Sequence, residues 1–154
     1  MDLIKKAISN NEIIELLEGK NGYSLENDSW TSISAPIDWT RVVPMIYQEY
    51  SETQDESIKE KYEAAIEKML SGSAEDVYCG FAVLYFQMLR ENSNRSPFFL
   101  NMDYLIQLAK EGISKNADDL KKSKKWSGAY TENGLWDEID RYKKLFLSKF
   151  SIEL

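Results

Sequence analysis

Asp137, Glu138 and Asp140 fall within four consecutive positions, and Asp55 and Glu56 are adjacent. Carboxylates so spaced can hold Mg²⁺ or exchange a proton in acid–base work. Both groups also stand where helices are expected to begin. Carboxylates in a first helical turn stabilise the macrodipole with no ligand at all, and that is the role assigned to them here. The chain contains no histidine and a single cysteine. A Ser-His-Asp or Cys-His arrangement cannot be built within it, and one cysteine cannot supply the ligands of a zinc site.

The cysteine, Cys79, lies in "DVYCGFAVLYFQMLREN", where Gln87 is the one polar side chain between Val77 and Leu89. Apolar surroundings raise a thiol pKa, so Cys79 is expected to pack and not to react. "EGKNG" has the glycines of a phosphate loop but neither the Gly-Lys-Ser/Thr ending nor a preceding strand, and it reads as a turn. No EF-hand spacing occurs. No catalytic residue, cofactor or metal is expected.

The lysines Lys121, Lys122, Lys124 and Lys125 form the one basic cluster. The net charge of the chain is −7, which disfavours polyanions such as nucleic acid and anionic membrane and suits a basic partner. The cluster therefore reads as a solvated helix end. Two segments carry the features of recognition surfaces, "NGYSLENDSW" and "WSGAYTENGLWDEIDRY". Both mix Trp and Tyr, favoured anchors at interfaces, with carboxylates in glycine-containing loops. The candidate partner-binding residues are Trp126, Tyr130, Glu132, Trp136, Asp137 and Asp140, with Asp28 and Trp30 as a second edge. On a helix Trp136 and Ile139 share the buried side, and Asp137 and Asp140 project outward together. The acidic face of the helix at 55–69 is the alternative location.

These residues are carried by helices. Apolar stripes at helical spacing run through Leu3–Ile4–Ala7–Ile8, then Ile13–Ile14–Leu16–Leu17 with Asn10 or Asn11 as N-cap. A long loop ends at Pro36. Trp39, Val42, Val43, Ile46 and Tyr50 form the next stripe, which Pro44 is expected to kink or end unless it lies within the first turn. Thr53 and Glu56 fit a capping box for a helix with Ile58, Tyr62, Ala65, Ile66 and Met69 on one face. "SGS" and a Ser73/Asp76 cap then lead into the apolar segment. That short connection predicts an antiparallel hairpin, and a helix apolar all round must be central. Gly80 and Ala82 suit close approach by a neighbour. Asn101 caps a helix with Leu105, Ile106, Leu108, Ala109 and Ile113 inward, "ADDLKKSKK" is exposed, and the helix from Leu135 to Phe150 closes the chain. The expectation is one all-α domain over 1–154: six or seven helices in antiparallel hairpins, as an irregular helical bundle or a short HEAT-like array. The 154 residues suffice for a core without disulfides. The charged N-terminal segment lacks a signal-peptide core, and the run 77–89 is too short to span a bilayer, which needs about 20 apolar residues. A cytoplasmic location is expected.

In size, charge and texture, including the Trp/Tyr/Asp-rich segments quoted above, the chain resembles the small acidic immunity proteins of bacterial contact-dependent and polymorphic toxin systems. The resemblance rests on the whole-chain profile, so no functional residue transfers by position. It implies a non-enzymatic protein that binds a cognate protein toxin, a basic nuclease, and occludes its active site or substrate channel. The alternative reading is a helical adaptor or regulatory domain without enzymatic activity.

Overall fold

In the helix α5, Ala74–Asn94, every side chain from Val77 to Tyr85 is buried. A segment with no polar face cannot border water, so other elements must surround it. The computed structural model describes residues 3–23, 38–94, 101–123, 125–126, 129–130 and 134–154, without the side chains of 92–94, 125–126 and 129–130. Among these residues there are eight helices: α1 Leu3–Ser9, α2 Ile13–Glu18, α3 Trp39–Thr53, α4 Glu56–Leu70, α5, α6 Met102–Lys115, α7 Ala117–Lys122 and α8 Leu135–Phe150. The one extended element is an antiparallel ladder, β1 Lys125–Trp126 against β2 Ala129–Tyr130. The architecture is an all-α irregular bundle, with α2, α3, α4, α6, α7 and α8 packed on α5.

The α4–α5 hairpin is antiparallel, as its side chains show. A Cβ placed on Gly80 would sit 3.1 Å from Cβ of Met69, and Tyr62 Oη donates to Oε1 of Gln87 at 3.1 Å. Moving back along α4 from 69 to 62 thus matches moving forward along α5 from 80 to 87. Gly80 permits this approach because a larger residue would press on Met69 and Leu70. The start of α5 is a capping box. The backbone N–H and Oγ of Ser73 donate to Oδ2 of Asp76 at 3.2 and 3.0 Å, and the Asp76 N–H reaches back to Ser73 Oγ at 3.4 Å. On the far side, Phe81 stacks on Phe146 at 5.2 Å between ring centroids, and Tyr85 meets Tyr142 and Phe146, tying α5 to α8.

Several local expectations are corrected. Pro44 lies beyond the first turn of α3, yet the helix runs on to Thr53. Burial of Trp39, Val42, Val43 and Ile46 along one stripe outweighs the hydrogen bond that proline removes. The cap of α4 is Asp55, whose side chain accepts from Ser57 N–H at 2.9 Å. Thr53 instead donates back to the Glu49 carbonyl at 2.8 Å, inside α3. The N-cap position of α2 is Glu12, not Asn10 or Asn11; Asn11 takes the left-handed φ of 58° that turns the chain. Asn101 occupies the N-cap position of α6 without a side-chain bond. The charged stretch after α6 exposes Asp118, Asp119, Lys121 and Lys122 as expected, and forms a helix of its own, α7, held by a fully buried Leu120, with acids at its start and lysines at its end.

Candidate functional site

The first turn of α8 places the sequence-predicted residues. Leu135, Ile139, Tyr142 and Phe146 point inward at helical spacing, which leaves Asp137 and Asp140 exposed on the solvent side. Glu138 between them turns inward and is buried at 6% exposure, with its Oε2 accepting from Arg141 Nη2 at 2.9 Å and Nε at 3.1 Å. Asp140 pairs with Lys144 at 3.0 Å, both in solvent. The carboxylates of α8 are therefore largely compensated by its own bases. Trp136 is half-buried, while Ile139 is fully buried. The ring of Trp136 has Lys121 Nζ at 4.7 Å and Lys143 Nζ at 5.5 Å from its centroid. Trp136 is a cation-flanked aromatic, a different setting from that of its acidic neighbours. Trp126 and Tyr130 lie in the small ladder, where Trp126 pairs with Ala129 and Tyr130 with Lys125; their side chains are outside the described set. Asp28, Trp30 and Glu132 lie outside the described residues.

A more strongly acidic surface stands at the α3–α4 corner. Residues 47–60, "YQEYSETQDESIKE", carry Glu49, Glu52, Asp55, Glu56 and Glu60 against Lys59 alone. Glu52, Asp55, Glu56 and Glu60 are exposed, and Glu49 is buried at 7%. Tyr47 and Tyr50 border them with ring centroids 6.5 Å apart. Tyr50 Oη donates to Glu56 Oε1 at 2.8 Å, and that bond, with burial second, holds the phenol above its usual pKa. Arg90 reaches over the Tyr47 ring at 4.1 Å. The corner turns at Gln54, which takes a left-handed φ of 54° and donates from its side chain to the Ser51 carbonyl at 2.7 Å. The signal was present in the sequence as the run of carboxylates, and the acidic face of α4 is its nearer half. The tight turn between α3 and α4 is what brings Tyr50 to Glu56.

Cys79 is 1% exposed, and burial, then the carboxylates of Glu18 and Asp76, push its thiol well above the ordinary value. Among the described residues no cluster of three or more His, Cys, Asp or Glu is placed to hold a metal ion, and no helix is long and apolar enough to cross a membrane. No protein-family model matches the chain, and neither the curated proteins nor the solved structures contain a significant match.

Proposed function

We propose that this chain is an immunity-type protein of the cytoplasm that binds a basic protein toxin stoichiometrically and blocks its active site or substrate channel, without turnover. The observation that supports this most is the α3–α4 corner, where four exposed carboxylates and two tyrosines flank one short turn. A nuclease binds phosphates through Lys and Arg, so an array of carboxylates fits the same groups and competes with the substrate. The tyrosines add apolar contact at low entropic cost. Opposite charge also accelerates encounter, as expected for a protector that must act before its toxin does.

The test is co-expression and calorimetric titration with the protein encoded by the adjacent gene. A one-to-one complex and restored growth are expected, with Glu52→Lys/Asp55→Lys/Glu56→Lys weakening binding at least about tenfold, or 1.4 kcal/mol. Asp137→Lys/Asp140→Lys serves as the comparison at the second surface. An adjacent product that is not toxic, or a toxin that neither binds nor is neutralised, overturns the proposal. Loss of affinity in the α8 variant alone moves the interface to Trp136 and its neighbours.

A further inference from the structure

The second surface of this molecule is of opposite sign. Between α6, α7, α8 and the residues that follow α8 runs an open groove of about 660 Å³. Its apolar floor is Ile113, Ala117 and Trp136, and Lys110 and Lys143 stand in its lining. Lys121 joins them over the Trp136 ring. None of these three ammonium groups has a carboxylate within 4.0 Å among the described residues, although Arg141 and Lys144 on the same helix are paired with Glu138 and Asp140. Glu153, which carries a carboxylate, and Leu154 also line the groove. One turn beyond Lys143, Leu147 is 54% exposed and extends the apolar edge.

We infer that this groove docks an acidic linear segment of a partner protein, one that carries a bulky apolar side chain between its carboxylates. The lysines supply the charge complement, and the floor takes the apolar anchor. Lys121 and Lys143 against the Trp136 ring set charge beside the apolar floor, so one segment can meet both. Three lysines on a chain of net charge −7 make a poor track for a long polyanion. The inference is independent of the immunity reading, because it uses a different surface and a partner of opposite charge.

A displayed library of random twelve-residue peptides, selected on the full-length protein, tests it. The expected outcome is enrichment of acidic peptides with one or two Phe, Leu or Trp residues. Fluorescence anisotropy of the labelled winners should show binding at least about tenfold weaker to Lys110→Ala/Lys121→Ala/Lys143→Ala, with helicity unchanged. Should that variant not fold, the wild type carries the test alone: its affinity for the same peptides should fall several-fold as salt rises from low to physiological. An enrichment without acidic consensus, acidic peptides that bind the variant as well as wild type, or salt-independent binding overturns the proposal. So does a single-stranded oligonucleotide of equal charge that binds as tightly as the peptides.

Discussion

Lys20 Nζ lies 3.2 Å from Oε1 of Glu18, yet the Glu18 carboxyl is pushed up to about 8 from an ordinary 4.5. A close cation should lower it. Burial dominates, since Glu18 is 2% exposed, and the Asp76 carboxylate beside it adds to the rise. When both acids are ionised, Oε2 of Glu18 has no donor in reach among the described residues. A proton on Glu18 can instead be donated to Asp76. Burial pushes Asp76 upward too, but the bonds from Glu18 and Ser73 and the charge of Lys20 outweigh it and hold that carboxyl below its usual value. Below about pH 8 the raised pKa of Glu18 and the lowered one of Asp76 favour the proton on Glu18.

The sign of the pH dependence follows. Between about 4.5 and 8 the folded chain holds a proton on Glu18 that the unfolded chain releases, so stability from this group declines as pH rises through that window. Asp76 acts oppositely, and its contribution is lost as pH falls through its depressed pKa. Thermal melts should therefore peak near about pH 5 and fall by about 2–12 °C at pH 8, for a linked change of about 1–3 kcal/mol. Glu18→Gln keeps an N–H donor for Asp76 and an oxygen for Lys20, and should flatten the slope between those two conditions. A variant as pH-sensitive as wild type would place the proton elsewhere.

Gly112→Ala should destabilise despite the gain of about 1 kcal/mol that alanine brings to a helix interior. The new Cβ would run into the Leu70 backbone carbonyl and lie 3.2 Å from Val77 Cγ2, and backbone cannot turn aside as a flexible side chain can. A net loss of about 1–3 kcal/mol in urea denaturation is expected. A neutral or stabilising result would mean that α4 and α6 can move apart freely.

Cys79→Ala should cost about 1–2 kcal/mol for the lost packing and leave partner binding intact. The native thiol should resist a disulfide reagent on the timescale of minutes and react at once in denaturant, as its burial and raised pKa require. Rapid labelling of the folded protein would contradict a structural role.

Phe81→Asp should unfold the protein, because Phe81 is fully buried and stacked on Phe146. An unpaired carboxylate there costs several kcal/mol, against a total of about 5–15 kcal/mol for a domain. Circular dichroism reads this directly, and a wild-type melt would remove α5 from the centre.

Two carboxylates of α8, two positions apart, should behave differently. Asp140→Ala loses an exposed pair, whose partners are 54% and 78% exposed, and should cost less than about 1 kcal/mol. Glu138→Ala removes a buried acceptor that takes two bonds from Arg141 and should cost about 1–2 kcal/mol. Equal melting temperatures for the two variants would show that burial of Glu138 adds nothing to its bond.

The helices were legible because each stripe in the sequence reports which face must leave water. The position of α5 at the centre followed from a segment with no polar face, and its hairpin with α4 from a three-residue connection. Asp137 and Asp140 are exposed for the same reason, since the stripe of Leu135, Ile139 and Tyr142 fixes the opposite face. Periodicity carries no information about which helix meets which. Gly112 looked like any residue in α6 until the Leu70 carbonyl came up against it. Glu18 was part of a turn in the sequence, and only the docking of α2 on α5 buried it beside Asp76 and raised its pKa. Trp136 was grouped with its acidic neighbours in sequence, whereas the packing of α7 against α8 set Lys121 over its ring. Charge and burial at a surface are sums over residues distant in sequence, so the sign of a site is decided by tertiary contact, while the helix that carries it is decided by local hydrophobic order.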